Sequence, residues 1–181
     1  MLPRLVIVTG APGTGKTTLA TQLSRELGLP MLTKDAIKEA MMGTLPVTDR
    51  QASKQLGAAS FRVLFRVSQS LLDAGASIVL EGPFSHPQAD AELHALGRGA
   101  RTMLIHCVAP AELALARYRE RYESGQRHPG HFDGAVFAGL AARIHAGEFE
   151  APRIDVPTLI VDTRDGYNPT LHQIVSTLGP A

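Results

Sequence analysis

Short apolar runs alternate along the chain with segments in which apolar residues recur every three or four positions. The runs occupy residues 5–8, 31–33, 77–80, 102–108 and 157–161. The run at 5–8 is unbroken and rich in β-branched residues, which is typical of a strand that is buried on both faces of a parallel sheet. The pattern therefore predicts five strands, with helices in the sequence between them.

Helical periodicity and stop signals indicate where the helices lie. The first helix carries Leu19, Ala20, Leu23 and Leu27, and it ends at Gly28 and Pro30. A second extends from about residue 35 to 42 and ends at Gly43. A long third helix can be capped by Asp49 and ends near Gly75. Its predicted apolar stripe consists of Leu56, Ala59, Val63, Leu64, Val67 and Leu71.

The alternation of strands and helices predicts an α/β fold, with a five-stranded parallel sheet and helices on both of its faces. In such a sheet the ligand crevice lies beyond the carboxyl ends of the strands. The 181 residues fit a single domain spanning 1–181. Residues 117–133 are predicted to form a small lid, because 123–133 contain three glycine or proline residues and two histidines.

Composition restricts the possible function classes. Lys and Arg total 18 against 17 for Asp and Glu, so the net charge of +1 gives no overall field for wrapping a long nucleic acid. Cys107 is the only cysteine and cannot form an internal disulfide, which favours a reducing cytoplasm. No signal peptide is recognisable, and no apolar stretch approaches the roughly 20 residues of a membrane span. We therefore expect a cytoplasmic protein.

A complete phosphate-binding motif lies between the first strand and the first helix. It consists of Gly10, Ala11, Pro12, Gly13, Thr14, Gly15, Lys16 and Thr17. Its backbone N–H groups and the helix N-terminus would surround an anion. Lys16 would reach the β- and γ-phosphates, Thr17 would bind Mg²⁺, and Thr18 could contact the α-phosphate. A plain glycine turn requires neither the lysine nor the hydroxyl, so the motif predicts binding of ATP with Mg²⁺.

Asp35 and Lys38 follow the second strand and therefore lie on the ligand side of the predicted sheet. The Asp35 carboxylate could orient an attacking hydroxyl group and accept its proton, while Lys38, one turn along the helix, could stabilise negative charge. Alternatively, Asp35 simply caps the helix. Spacing alone does not separate these two interpretations.

The motifs together resemble the compact P-loop kinase-like AAA family of bacteria. The residues that carry the resemblance are the phosphate-binding loop, Lys34-Asp35-x-x-Lys38, Glu81-Gly82-Pro83-Phe84 and Arg127-His128-Pro129-Gly130-His131. More distantly, the chain is similar to chloramphenicol phosphotransferases, zeta toxins and the 5′-kinase domain of polynucleotide kinases. The resemblance implies that Asp35 is the base on the acceptor side and that Lys38 contacts the acceptor or a phosphate. Polynucleotide kinases have an arginine at the Lys38 position. Because a lysine cannot bind phosphate through two parallel hydrogen bonds as an arginine does, the resemblance does not imply bidentate phosphate recognition by Lys38.

Further site residues follow from strand ends and from this resemblance. Glu81 closes the third strand, where it could act on Mg²⁺ through water or serve only as a solvated strand end. Arg121 and Arg127 are interpreted as lid residues that reach the phosphates, Arg117 as an adenine contact and Arg164 as part of the segment beside adenine. A basic, solvent-facing helix is the alternative for the first three arginines, and a simple strand-to-loop junction is the alternative for the segment that contains Arg164. Arg119 is expected to point elsewhere.

The two lid histidines, His128 and His131, are expected to bond to phosphate or to brace the loop. A zinc site at these histidines would need a further ligand, for which Asp133 is the only obvious choice.

The predicted function is transfer of the γ-phosphoryl group of ATP to a hydroxyl group of a small molecule, nucleoside or nucleotide. The alternatives are a polynucleotide 5′-hydroxyl kinase acting on an oligonucleotide end and an ATP-binding regulatory module without an acceptor. A GTPase would need D-x-x-G and N/T-K-x-D elements, which the sequence lacks. The protein is expected to be a monomer or a homodimer.

Overall fold

Five parallel strands form one sheet in the computed structural model, which describes residues 2–125 and 127–179. The strands are β1 Arg4–Gly10, β2 Met31–Thr33, β3 Ile78–Glu81, β4 Arg101–Val108 and β5 Thr158–Asp162. Their order across the sheet is β2-β3-β1-β4-β5. The predicted five-stranded parallel sheet is confirmed, and the central strand β1 ends at the phosphate-binding motif.

Seven helices connect and cover the strands within the described residues. They are α1 Lys16–Leu27, α2 Lys34–Met42, α3 Arg50–Asp73, α4 Asp90–Gly97, α5 Ala111–Glu123, α6 Asp133–His145 and α7 Leu171–Leu178, and a 3₁₀ turn spans Pro129–His131. The Asp49 side chain accepts a hydrogen bond from the Ala52 N–H at 2.8 Å, which confirms the predicted cap of the long helix. None of these helices combines the length and the apolar character needed to cross a membrane.

Alternating side chains of β1 contribute to a hydrophobic core on each face of the sheet. Leu5 and Ile7 pack into the core that includes Leu64 of α3, with α4 on the same side. Val6 and Val8 belong to the opposite core, which is built mainly from α1 and α7. Because both faces of β1 are buried, its central residues 5–8 are all apolar, as the sequence pattern predicted.

The buried face of α3 differs from the predicted stripe. Val63 and Val67 are 41% and 39% exposed, and Ala59 is also exposed, so the prediction is wrong for these residues. The buried positions are instead Ser53, Leu56, Ser60, Leu64, Ser68 and Leu72. Serines are small, and the Ser60 hydroxyl donates a hydrogen bond to the Leu56 carbonyl oxygen of the preceding turn at 2.7 Å, so this face packs closely despite its polar residues. The predicted stripe therefore mixed residues of the buried face, such as Leu56 and Leu64, with residues of an exposed face, such as Val63 and Val67.

The predicted lid is partly buried. Gln126 lies outside the described residues, and the rest comprises the second half of α5, the 3₁₀ turn and the connection to α6. Gly130 and His131 are buried, whereas His128 and Pro129 are exposed. The segment is therefore held against the body of the protein at its second histidine.

Candidate active site

The phosphate-binding loop has a backbone that only glycine accepts at two of its positions. Gly10 and Gly13 have φ angles of 144° and 85°. A Cβ atom on Gly13 would lie 1.9 Å from the Ala114 carbonyl oxygen, and one on Gly10 would lie 2.4 Å from the Cys107 carbonyl oxygen. No side chain caps the N-terminus of α1 at Gly15. The helix therefore begins with N–H groups that suit an anion.

Lys16 and Glu81 are buried at the carboxyl ends of β1 and β3, next to the exposed Thr17. The Lys16 ammonium lies 3.9 Å from Glu81 Oε1, and the Thr17 hydroxyl donates a hydrogen bond to the same oxygen at 3.2 Å. Burial raises the pKa of Glu81, which Lys16 opposes, and burial lowers the pKa of Lys16, which Glu81 opposes. Bound phosphate would further favour the charged ammonium, since opposite charges attract strongly where water is excluded.

A cavity of about 480 Å³ opens beside the loop, on the side of α5 and the segment after β5. Thr18, Gln22 and Tyr167 line it, together with Arg117. The Arg117 guanidinium donates to the Thr163 and Arg164 carbonyl oxygens at 2.9 and 3.1 Å. Arg117 therefore fixes the loop after β5 at the edge of this cavity.

The Arg164 side chain is not part of the lining of that cavity. It is exposed, and its guanidinium lies 3.6 Å from the Asp162 carboxylate. Thr163, its neighbour, instead donates a hydrogen bond to the Thr14 carbonyl oxygen of the phosphate-binding loop at 2.8 Å. The segment after β5 thus contacts the loop through Thr163 and the backbone.

Asp35 carries two charge-assisted hydrogen bonds. Lys34 Nζ donates to Oδ1 at 3.0 Å, and Arg127 Nη2 donates to Oδ2 at 2.7 Å. Burial alone would raise the pKa of Asp35, but Lys34 and Arg127 outweigh burial and hold this pKa well below its usual range. Asp35 is therefore ionised near neutral pH. The helix cap of α2 is a different residue, because Thr33 accepts the bond from the Ala36 N–H at 3.1 Å.

A hydrogen-bond network ties the lid to α2. Arg127 Nη2 lies 3.0 Å from His131 Nδ1, and His131 Nε2 lies 2.8 Å from Glu39 Oε1. Since a guanidinium only donates, Nδ1 is the acceptor and Nε2 carries the proton. Burial and Arg127 lower the pKa of His131 to about 3, in agreement with this neutral tautomer. Arg127 also contacts Asp133, with Nε and Oδ2 3.3 Å apart.

The two histidines brace the lid from within. His128 Nδ1 accepts a hydrogen bond from the Gly130 N–H at 3.1 Å, which holds the 3₁₀ turn, and His131 makes the contacts to Arg127 and Glu39. No group of three or more His, Cys, Asp and Glu side chains suited to a metal ion occurs within residues 2–125 and 127–179.

Lys38 is buried between α2 and α3. Its Nζ donates to Ser53 Oγ at 2.7 Å, and Ser53 Oγ donates onward to the Gly130 carbonyl oxygen at 2.7 Å. Burial and the nearby Lys34 ammonium lower the pKa of Lys38 to about 8. Lys38 also lines a cavity next to Asp35. Through Ser53, Lys38 thus connects α2 and α3 to the lid.

Arg121 lies between the cavity beside Tyr167 and the cavity that contains Asp35, and it lines both. Its Nε atom is buried and has no hydrogen-bond partner among the residues that the structure describes. The guanidinium carbon lies 5.6 Å from the centre of the Tyr118 ring. Arg119 points away, with its guanidinium 4.7 Å from the Phe137 ring centre, as predicted. A buried donor without a partner, in the same cavity as Lys16, suits a phosphate oxygen.

Lys16, Glu81, Asp35, Arg121 and Arg127 all line one cavity of about 400 Å³. The cavity also contains residues that the sequence patterns did not single out as site residues, namely Lys34, Arg50, Lys54 and Arg143. A signal for two of these was present in the sequence. Arg50 and Lys54 are four residues apart, immediately after the predicted Asp49 cap, and therefore share a helix face.

Residues 5–146 match the model of a protein family described as an AAA domain. The chain therefore belongs to this family. The matched region contains the phosphate-binding loop, Asp35, Glu81 and the lid. The family and the sheet topology together define a P-loop kinase fold.

Two relatives match most of the chain. A protein of Frankia casuarinae named shikimate kinase is 31% identical over 183 residues, covering 97% of this chain and 73% of the relative. The solved structure of a candidate kinase from Chloroflexus aurantiacus is 32% identical, covers 98% of this chain and 97% of the other, and superposes with a TM-score of 0.86.

An uncharacterised protein of Mycobacterium tuberculosis is 26% identical over 149 residues. That match covers 77% of this chain but only 29% of the mycobacterial protein. The likeness thus concerns one portion of a longer chain.

Proposed function

We propose that this protein transfers the γ-phosphoryl group of ATP to a hydroxyl group of a small molecule. The observation that carries the proposal is that Lys16 and Asp35 line the same cavity of about 400 Å³. A γ-phosphate held by Lys16 and an acceptor hydroxyl held by Asp35 would meet inside it, which is the positioning that phosphoryl transfer requires. The kinase names of the Frankia and Chloroflexus proteins support the same reaction class.

The nucleotide would lie across the phosphate-binding loop. The N–H groups at the start of α1 and Lys16 would hold its phosphates, and the nucleoside would occupy the cavity lined by Gln22 and Tyr167. Arg121, which lines both cavities, is suited to the phosphates between them. Arg117 would act indirectly, through the loop that it holds.

Thr17 and Glu81 are the residues that would hold Mg²⁺. Their oxygen atoms are the hard donors that this ion prefers, and Mg²⁺ usually relies on phosphates and water for its other ligands. The adjacent Thr17 hydroxyl and Glu81 carboxylate therefore fit the ion. When bound, Mg²⁺ supplies positive charge that offsets the charge on the phosphates.

Asp35 would orient the acceptor hydroxyl by accepting its hydrogen bond. A carboxylate can accept about four hydrogen bonds, so the bonds from Lys34 and Arg127 leave capacity for the acceptor. Because these cations hold its pKa low, Asp35 is a weak base toward an intact hydroxyl. It would receive the proton late, once bond formation to phosphorus has made the hydroxyl acidic. Lys38 would support this arrangement through Ser53 and the lid.

Substitution of Asp35 tests the proposal. We expect Asp35→Ala to bind Mg²⁺-ATP about as well as the wild type and to lose transfer by roughly 10²- to 10⁴-fold, the usual contribution of acid–base and orienting groups. Asp35→Asn retains an oxygen that accepts a hydrogen bond, so its transfer rate should lie between those of Asp35→Ala and the wild type. Transfer is measured with γ-labelled ATP over a panel of hydroxyl acceptors, and ATP affinity by calorimetry. Asp155→Ala removes an exposed carboxylate and serves as the control.

The rival functions predict other outcomes of the same measurements. A regulatory module would bind ATP and transfer phosphate to no acceptor, and Asp35→Ala would change neither property. A polynucleotide kinase would label a 5′-hydroxyl oligonucleotide and leave the small acceptors unlabelled. Either result contradicts the proposed function.

A further inference from the structure

The cavity of about 400 Å³ that contains Asp35 is the proposed acceptor cavity. Its wall formed by α2 and the first turns of α3 is strongly cationic. An adjoining cavity of about 530 Å³ shares Lys34, Arg50, Lys54 and Arg143 with the cavity that contains Asp35. Lys38 also lines this second cavity, and no aspartate or glutamate does. The positive charge on this side therefore exceeds what the Asp35 carboxylate can balance.

Most of these cations have partners within the protein, but Arg50 and Lys54 do not. Lys34 pairs with Asp35, Lys38 bonds to Ser53, and Arg143 lies 2.7 Å from Glu148. Arg50 and Lys54 make no ion pair or side-chain hydrogen bond with any part of the chain that the structure describes. Their charges are free for a ligand.

The position of Arg50 and Lys54 is unfavourable for folding. Like charges four residues apart on a helix repel each other. The N-terminus of a helix also disfavours cations because its dipole is positive there, and apart from the Asp49 cap the first turn of α3 contains no acidic residue. Binding of a negatively charged group would offset this repulsion.

Apolar surface lies next to the cationic wall. Ala58 and Phe61 line the cavity together with Gly57, and a Cβ atom on Gly57 would lie 3.9 Å from Lys34 Nζ. The Lys34 ammonium is 5.8 Å from the centre of the Phe61 ring. An acceptor could thus place a carbon skeleton on Phe61 and a charged group on the cations. Cavities of a few hundred Å³ suit small molecules.

From this arrangement we infer that the phosphoryl acceptor is a small hydroxylated anion, with a carboxylate or phosphate group that binds Arg50 and Lys54. The inference rests on the proposed function, and it assigns the acceptor's second anchor. Asp35 holds the hydroxyl end, and the first turns of α3 hold the charged end. Lys16 and Arg121 remain for the nucleotide.

Matched acceptor pairs test the charge requirement. Gluconate is compared with glucose, shikimate with its methyl ester, and glucose 6-phosphate with glucose, using γ-labelled ATP and Mg²⁺. We expect the charged member of a pair to exceed the neutral member at least tenfold in kcat/KM, and the carboxylate and phosphate arms show which group is preferred. Equal use of charged and neutral members, or labelling of a 5′-hydroxyl oligonucleotide alone, would overturn the inference.

A double variant tests the two residues. Arg50→Gln/Lys54→Gln should raise the KM for the anionic acceptor at least tenfold with kcat nearly unchanged. The control is Arg62→Gln/Arg66→Gln, which removes two exposed arginines at the same spacing from the same helix and lines neither cavity. If the double variant instead weakens ATP binding and leaves the acceptor KM unchanged, these residues serve the nucleotide and the inference is wrong.

A binding measurement separates failure of this inference from failure of the proposed function. Protein loaded with Mg²⁺ and a non-hydrolysable ATP analogue is titrated with inorganic phosphate and with gluconate, and the thermal shift is recorded. A shift that the Arg50→Gln/Lys54→Gln variant loses and the control retains supports the anion site even if no phosphate is transferred. Absence of any such shift, together with absence of a charge preference in transfer, rejects the anion site.

Discussion

The phosphate-binding loop and the acceptor cavity differ in how their residues come together. The loop consists of consecutive residues, 10–17, whose shape follows from local glycine conformations and the start of α1. The acceptor cavity instead combines side chains from α2, α3, α6 and the lid. The first site is therefore specified locally by sequence, whereas the second depends on packing between distant segments. Substitutions in the two regions should accordingly have different effects.

On the loop side, Lys16→Ala should have the largest effect. Lys16 is buried and lies 3.9 Å from Glu81 Oε1. Its loss therefore removes the positive charge that would stabilise the phosphates, and it leaves the buried Glu81 carboxylate without this nearby cation. We expect phosphoryl transfer to fall on the order of 10³-fold, and ATP affinity to fall with it. Calorimetry with Mg²⁺-ATP distinguishes this from Asp35→Ala, for which only transfer falls. Equal ATP affinity in Lys16→Ala and the wild type would contradict the assignment of the loop.

Gly13→Ala tests whether the loop's backbone is as constrained as its contacts indicate. The added methyl group would collide with the Ala114 backbone at a positive φ angle. We expect the free energy of unfolding to fall by more than about 3 kcal/mol, since overpacking and backbone strain add. The control is Gly28→Ala, where φ is 64° and no atom lies within 4 Å. It should cost only about 1 to 2 kcal/mol. Equal costs for both variants in urea denaturation would refute the close approach of α5.

Ser53→Ala probes the packing on which the acceptor side depends. It removes the hydroxyl that joins Lys38 to the Gly130 carbonyl oxygen and leaves a buried ammonium without that partner. A loss of about 2 to 3 kcal/mol in unfolding free energy is expected. Ser68→Ala is the matched control, because Ser68 Oγ is buried without a hydrogen-bond partner among the described residues. Removing the Ser68 hydroxyl should leave the unfolding free energy unchanged or raise it. If both variants lose the same unfolding free energy, the hydrogen bonds of Ser53 to Lys38 and Gly130 contribute nothing to stability.

The smallest effect concerns the pH dependence of stability. The pKa of His131 is lowered to about 3, so between that value and about pH 6.5 the unfolded chain binds a proton that the folded protein excludes. The free energy of unfolding therefore falls as pH decreases, by up to about 1.4 kcal/mol per pH unit from this side chain. His131→Gln should reduce the loss of stability between pH 7 and pH 5 by about 1 to 2 kcal/mol. An unchanged pH dependence in denaturant titrations would contradict the neutral, buried tautomer.

The same contrast explains which features could be predicted from the sequence. The strands, the phosphate-binding loop and the Asp49 cap depend on neighbouring residues and were predicted correctly. The buried serine face of α3 was not, because its small polar residues look solvent-exposed when only hydrophobicity is considered. The roles of Lys34, Arg50 and Arg143 depend on how α2, α3 and α6 pack, which periodicity does not specify.

The lid shows the same limit. The sequence predicts that the two histidines either brace the lid or contact phosphate, but it does not decide between these two roles. The choice depends on Glu39, a residue far from them in the chain, which accepts the hydrogen bond from His131. Spatial contacts of this kind leave no signal in a single sequence.

The hydrogen bond between Arg127 and Asp35 bears on how the protein would treat ATP in the absence of a second substrate. A solitary water molecule can still donate a hydrogen bond to Asp35, but the two cations hold the pKa of this carboxyl low, so Asp35 is a weak base toward water. A larger molecule that brings its own negative charge can draw some of that positive charge toward itself and leave Asp35 freer to receive a hydroxyl. Such an arrangement would limit wasteful hydrolysis of the nucleotide, so that consumption of ATP becomes coupled to the arrival of the molecule to be modified.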